Sequence, residues 1–220
     1  MRDLHLMSPA RRAAEAQMRA LWRQVDAVCF DVDSTVCRDE AIDEIGKWFG
    51  VEKKVAQVTK DAMNGGMSFR DALRERLNII KPDRAGLERF IATHPPKLTP
   101  GIESLISSLH RQGVDVYLVS GGFVSIISRV AQLLAIPQAN IYANVIKFHD
   151  DVGWASDSGG KAVVCQLLKE RYGYKTLFMV GDGATDLEAC PPADGFVGFG
   201  GNQIQYLYTI RYDTIRLDAV

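Results

Sequence analysis

At 220 residues, 47% hydrophobic and 24% charged, the chain is long enough to bury one substantial core with a smaller insert, and too apolar to be largely disordered. A formal net charge of -1 and a pI near 6.4, without a dense Lys/Arg stripe, argue against a nucleic-acid partner and for small-molecule chemistry. The four cysteines, Cys29, Cys37, Cys165 and Cys190, lack a paired metal spacing and read as thiols of a reducing compartment. No apolar run is long enough to span a bilayer and no secretory core opens the chain, so a cytoplasmic protein without a membrane partner is expected.

Residues 1–24 read as an N-terminal helix packed on the domain, with Met18, Leu21 and Trp22 on one side and Arg11, Arg12, Arg19 and Arg23 on the other. A targeting helix is the rival reading, weakened by Asp3 and Glu15. Ala27 to Phe30 is uncharged and suits a buried parallel strand, and it runs into Asp31-Val32-Asp33-Ser34-Thr35. On its own that acidic doublet is a strand ending in turn chemistry. Residues 39–96 switch to helical spacing, with Ile42, Ile45, Trp48 and Phe49, then Phe69, Leu73, Leu77 and Ile80, and predict an inserted helical cap. Asn64-Gly65-Gly66 interrupts it and His94-Pro95-Pro96 closes it.

Strand and helix patterns then alternate. A helix over 101–111 leads to a strand over 114–119 that runs into Ser120-Gly121-Gly122. A helix through Ile126, Val130 and Leu134 precedes a short β-like stretch, Asn144 to Phe148. A further helix over 161–171 leads to the strand Leu177 to Val180, which ends in Gly181-Asp182-Gly183-Ala184-Thr185-Asp186; a last apolar run is Gly195 to Phe199. The fold class expected is α/β, Rossmann-like, a mainly parallel sheet with helices on both faces: a core of 25–38 and 97–220 carrying the cap.

Ligands bind such sheets beyond the carboxyl ends of the strands, where the acidic doublet, the Ser-Gly-Gly turn and the Gly-Asp-Gly turn all fall. Asp31, Asp33, Asp182 and Asp186 on one rim repel unless a cation joins them, and Mg²⁺ suits few carboxylates together with a substrate phosphate. Lys161 and the glycine N–H groups of 120–122 offer a cradle for that phosphate. One carboxylate could then attack phosphorus while a second protonates a departing alcohol, which favours phosphomonoesters over anhydrides. Each part has a plainer reading: Ser120 as a helix entry, Lys161 as a solvated first-turn lysine, Asp186 as a helix N-terminal acid. A dinucleotide fingerprint at Gly181-Asp182-Gly183 is weak, because Asp186 occupies the third glycine position.

In Asp31-Val32-Asp33-Ser34-Thr35, Ser120-Gly121-Gly122, Lys161 and Gly181 to Asp186, the chain resembles the haloacid dehalogenase superfamily, and the likeness runs from about Val25 to Asn202. The resemblance implies a phosphatase that converts O-phosphoserine to serine and phosphate through an aspartyl phosphate, the last step of serine biosynthesis. It also implies Asp31 as nucleophile and Asp33 as general acid, then base, with Mg²⁺ held by Asp31, the backbone carbonyl of Asp33 and Asp182. Asp186 would support the metal shell. Ser120, Gly121, Gly122 and Lys161 would bind the phosphoryl group, and Thr185 would position substrate. For the amino-acid end, Glu40 and Arg76 match the family's residues for the ammonium and the carboxylate. Arg76 has support of its own, as a guanidinium on an otherwise apolar helical face, although it could snorkel off that face. Met63 and Phe69 would line the lid or belong to the cap core. A homodimer is left open.

Two departures set the chain apart. The segment 148–158 is shorter than in its relatives, and after Asn202 the likeness fades, with Gln205 where family members usually carry arginine. A non-catalytic or impaired descendant is therefore the alternative reading. The alternation of Ile204, Tyr206, Tyr208, Ile210 and Tyr212 would suit a further strand.

Overall fold

The computed structural model describes residues 9–62, 67–148, 160–200 and 214–217. Its strands are β1 Ala27–Phe30, β2 Asp115–Phe123, β3 Ile141–Asn144, β4 Leu177–Gly181, β5 Gly195–Phe199 and β6 Thr214–Leu217. They form one parallel sheet in the order β3-β2-β1-β4-β5-β6. The helices are α1 Pro9–Trp22, α2 Ala41–Trp48, α3 Glu52–Asp61, α4 Phe69–Ile80, α5 Arg84–Thr93, α6 Ile102–Arg111, α7 Val124–Leu133, α8 Gly160–Tyr172 and α9 Ala184–Leu187. The fold is the Rossmann-like α/β arrangement expected, and its direction reverses beside β1, which pairs with β2 on one side and β4 on the other.

Side-chain alternation divides the sheet into two cores. Val28, Phe30, Val116, Leu118, Phe178 and Val180 face Met18 of α1 and the apolar sides of α6 and α7. Ala27, Cys29, Tyr117, Val119, Leu177 and Met179 face Cys165 and Leu168 of α8 on the opposite side. A strand buried on both faces must be apolar throughout, which is why β1 and β4 were readable. Each large side chain among these contributes about 1.5–3 kcal/mol of burial. The leading helix packs on the sheet, with Trp22 edge-on to Phe178 at 5.1 Å.

Between β1 and β2 the chain builds α2–α5, closed over Ile42, Ile45, Val55, Leu73, Leu77, Leu87 and Phe90. The Ser68 and Asp83 side chains cap α4 and α5 by accepting from the backbone N–H groups of Asp71 and Gly86. Phe123, at the end of β2, belongs to the same apolar cluster, so the helical layer rests on the rim of the sheet. Arg129 of α7 donates to the Ile91 carbonyl of α5 at 2.6 Å, and the Arg84 guanidinium lies 4.5 Å over the Phe148 ring.

Several expectations are corrected. Trp48 is 41% exposed, stacked edge-on against His94 instead of filling the apolar face. The third strand is Ile141–Asn144, not 144–148, because it pairs with Leu118 and Val119 before β2 leaves the ladder. The sixth strand, Thr214–Leu217 beside β5, was not foreseen. Asn64-Gly65-Gly66, the segment 149–158, Gln205 and the alternation over 204–212 lie outside the described residues. Among the described residues no helix is long and apolar enough to cross a membrane, and none of Cys29, Cys37, Cys165 and Cys190 is in a disulfide.

Candidate active site

The site grows from the end of β1. Asp31 keeps the ladder, its N–H donating to the Val180 carbonyl at 2.9 Å. Beyond it the backbone folds into a tight turn over Val32–Val36, extended at Asp33 and left-handed at the buried Ser34, whose φ is 56°. A serine there is uncommon and held only where surroundings demand it. The consequence is divergence of two acids only two residues apart. Asp31 Oδ1 meets Lys161 Nζ at 2.8 Å, whereas Asp33 Oδ1 accepts from the Ala41 N–H, at the start of α2, at 3.0 Å. The turn is tied beneath by Thr99, whose hydroxyl donates to the Thr35 carbonyl at 2.7 Å where the chain returns from the helical layer.

Two other strand ends, those of β2 and β4, close the site. At β2, Ser120 Oγ accepts from the Gly122 N–H at 3.0 Å. At β4, Gly181 leads into Asp182, whose Oδ1 accepts from the Thr35 hydroxyl at 3.2 Å. Asp186, in the first turn of α9, accepts from the Gly183 N–H through Oδ2 at 3.0 Å and from Lys161 through Oδ1 at 2.6 Å. Gly181 must be glycine, since a Cβ there would overlap the Asp186 carboxylate. Lys161 is therefore not a solvated first-turn lysine; it reaches under the rim with 12% of its side chain exposed.

These ends and the helical layer enclose a cavity of about 130 Å³, lined by Asp31, Asp33, Glu40, Arg76, Ser120, Gly121, Gly122, Lys161, Asp182, Thr185 and Asp186. Every site residue expected from the sequence is brought to it except Met63, which lies outside the described residues. Glu40 stands at the N-cap position of α2, but its side chain makes no cap hydrogen bond and accepts instead from the Ser34 hydroxyl at 2.7 Å. Phe69 lines the same cavity, with its ring against the Gly121 backbone, and is not a cap-core residue.

Arg76 Nε donates to the Ala72 carbonyl at 3.2 Å, and among the described residues the guanidinium forms no salt bridge. Burial lowers its pKa, opposed first by Asp43, then by Glu40 and Asp33. Asp43, whose Oδ1 is buried without a hydrogen-bond partner among the described residues, was missed by sequence reasoning. Its position three after Glu40, one helical turn along, was the available signal.

Charge is the site's dominant cost. Burial, then Glu40 and Asp31, push the Asp33 carboxyl well up, opposed by the Ala41 N–H and Lys161. Burial alone would lower Lys161, but Asp186 and Asp31 outweigh it and the ammonium is raised. Burial, then Asp31 and Asp186, raise Asp182 to about 7; burial and Asp31, opposed by Lys161, leave Asp186 at about 6. Asp31, Asp182 and Asp186 offer oxygens all within 4.8 Å of one another, and Asp182 Oδ2 is buried without a hydrogen-bond partner among the described residues. That orphaned oxygen in an all-oxygen donor set fits a hard divalent cation.

A pH dependence arises from these shifts. Asp182 and Asp186 bind their protons more tightly folded than unfolded, so the stability they contribute is full below about pH 4 and fades as pH rises through about 6 and 7. In chelator, the melting temperature is expected to fall between about pH 5 and about pH 8, and a divalent cation to remove that fall. A flat profile in chelator would contradict the charge assignment.

Residues 25–194 match the family model described as haloacid dehalogenase-like hydrolase. The chain belongs to that family. This hydrolase is 50% identical to the phosphoserine phosphatase of Mus musculus over 200 residues, 87% of this chain and 89% of that one. Among solved structures it is similar to DsGPDH of Dunaliella salina, with a TM-score of 0.75 and 35% identity over 84% of this chain and 33% of that chain. It is similar also to a substrate-bound phosphoserine phosphatase complex, with a TM-score of 0.70 and 28% identity over 80% of this chain and 86% of that one.

Proposed function

We propose that this hydrolase converts O-phosphoserine to serine and phosphate, with Asp31 as nucleophile and Asp33 as the proton carrier. One observation carries the reading: adjacent carboxyls on one turn sit in opposed environments, Asp31 against the Lys161 ammonium and Asp33 pushed towards its protonated form by burial and its acidic neighbours. An anionic nucleophile beside a neutral acid is what cleavage of a phosphomonoester needs. The identity to phosphoserine phosphatases over most of both chains supports the same substrate.

In the first step an Asp31 carboxylate oxygen attacks phosphorus, the phosphorus–oxygen bond to serine breaks, and the Asp33 proton passes to the departing oxygen. In the second, Asp33 takes a proton from water as the water oxygen attacks phosphorus, and the bond to Asp31 breaks, releasing phosphate. Lys161 neutralises charge on the phosphoryl oxygens, and Ser120 and the 121–122 backbone hold them. Mg²⁺ is the expected cation, held by Asp31, the Asp33 carbonyl and Asp182; bound there, it would supply positive charge to the phosphoryl oxygens. Both Asp186 oxygens are already engaged, by Lys161 and by the Gly183 N–H, which suits a supporting residue. Glu40 and Arg76 are assigned to the ammonium and carboxylate of the amino acid, and Thr185 to positioning substrate. A cytoplasmic place, in serine biosynthesis, belongs to the same proposal.

The short segment ahead of α8 gave the non-catalytic alternative its force, yet Lys161 reaches both Asp31 and Asp186. The direct test is Mg²⁺-dependent phosphate release from O-phosphoserine, set against O-phosphothreonine and an aryl phosphate. A folded sample that turns over none of them would overturn the reading. Arg76→Ala is expected to lower kcat/KM for O-phosphoserine about 10²-fold, the scale of one charge-assisted carboxylate contact, and to leave the aryl phosphate nearly unaffected. Equal losses on both substrates would remove Arg76 from substrate recognition.

A further inference from the structure

Asn144 closes β3 with 8% of its surface exposed, and neither its strand position nor its chemistry is explained by the roles assigned so far. Between β2 and β3 the register runs Val119 to Tyr142 and then Phe123 to Asn144, so three residues on β2 oppose one on β3. Ser120, Gly121 and Gly122 are therefore bulged out of the ladder, and their backbone groups need other partners. The Asn144 amide fills one gap, Nδ2 donating to the Gly121 carbonyl at 2.7 Å. The next N–H, that of Gly122, donates to Ser120 Oγ at 3.0 Å.

These two bonds hold opposite ends of one peptide unit. In a trans peptide the carbonyl and the following N–H point in opposite directions, so fixing the Gly121 oxygen on Asn144 also aims the Gly122 N–H at Ser120. The Ser120 oxygen, already accepting, keeps its own proton to donate. Two glycines in succession offer little steric resistance to rotation of that peptide. Rotated, it would turn the Gly121 oxygen away from Asn144 and take the Gly122 donor from Ser120, altering the donors at a rim already crowded with carboxylates.

We propose that Asn144 is a positioning residue for phosphoryl transfer, holding the Gly121–Gly122 peptide so that Ser120 presents a donor to the phosphoryl group. The proposal rests on the phosphoryl-binding role given above to Ser120–Gly122.

The test compares the full chain with Asn144→Ala, Asn144→Ser and Ser120→Ala, each checked by thermal unfolding. Binding of orthovanadate, a phosphoryl mimic, and of serine, which reports the amino-acid end, is measured by calorimetry with Mg²⁺, beside kcat for O-phosphoserine. Asn144→Ala is expected to weaken vanadate and lower kcat roughly tenfold, with serine affinity unchanged; Asn144→Ser, which keeps a donor, should recover part of the loss. In the Asn144→Ala, Ser120→Ala double variant the losses should fall short of additive, because both act through one peptide. If Ser120→Ala weakens vanadate while a folded Asn144→Ala does not, the role of Asn144 is overturned and the loop's role stands. Vanadate and serine affinities falling together would also overturn it, as a general structural effect. Vanadate affinity unchanged by Ser120→Ala would overturn the loop's role and this inference with it.

Discussion

Asp31→Asn is expected to fold normally and to release phosphate from O-phosphoserine at least about 10⁴-fold more slowly than the unaltered chain. The amide keeps the shape of the carboxylate, and its oxygen can still accept from Lys161, which lies 2.8 Å from Asp31. What it lacks is the anionic oxygen that forms the bond to phosphorus. Stability in chelator should hold or rise, because one of three crowded acids loses its charge. Fluorine NMR with beryllium fluoride separates this from a binding defect: the unaltered chain should trap the fluoride complex on Asp31 and the variant should not. Retained turnover, with trapping intact, would move the nucleophile to another residue.

Lys161→Ala should be nearly as damaging, and for two reasons at once. Its ammonium lies 2.8 Å from Asp31 and 2.6 Å from Asp186, both carboxylates being largely buried. Without it, acids that already repel lose their nearest compensating charge, and removal of one partner from such a buried set typically costs about 3–5 kcal/mol. Turnover should fall about 10³-fold or more, since the phosphoryl oxygens lose a cation in a site screened from water. Urea unfolding in chelator reads the stability loss, and added Mg²⁺ should recover part of it without restoring kcat. Lys161→Arg should rescue poorly, because a planar guanidinium cannot take the place of a compact ammonium between two carboxylates. Native stability of Lys161→Ala in chelator would show that the acids carry little charge there.

The parts of the fold that were legible are those whose local pattern has one physical cause. Ala27–Phe30 and Leu177–Gly181 are buried on both faces and so are apolar throughout. Within the cap, α2 and α4 show a 3.6-residue stripe because one face of each closes on the cluster that holds Ile45 and Leu73, whereas α3 and α5 were not read as separate helices. The edge strand Ile141–Asn144 was misplaced because only Asn144 in it is buried, which leaves no clean alternation to read. Trp48 was misread because its partner, His94, arrives from the far end of the helical layer.

In the site, Asp31, Asp33, Ser120, Lys161, Asp182 and Asp186 were legible because parallel strands deliver their ends to one rim. Asn144 and Asp43, which stand behind residues of the cavity and do not line it, were not. A polar residue closing a weak edge strand has no motif, and its use is set by the bulge in β2 that it spans. Asp43 looks like an ordinary helix acid until α4 brings Arg76 near it.

The sequence by itself determined which chemical groups meet and in what order along the chain, because burial forces the strands to be apolar and their ends to carry the polar work. Only the tertiary structure decided which acid faces Lys161 and which faces the start of α2, and which carbonyl Asn144 holds. Those choices depend on a left-handed turn at Ser34, followed by Thr35 whose carbonyl is held by Thr99, and on a register shift between β2 and β3, and neither can be read from local residue spacing.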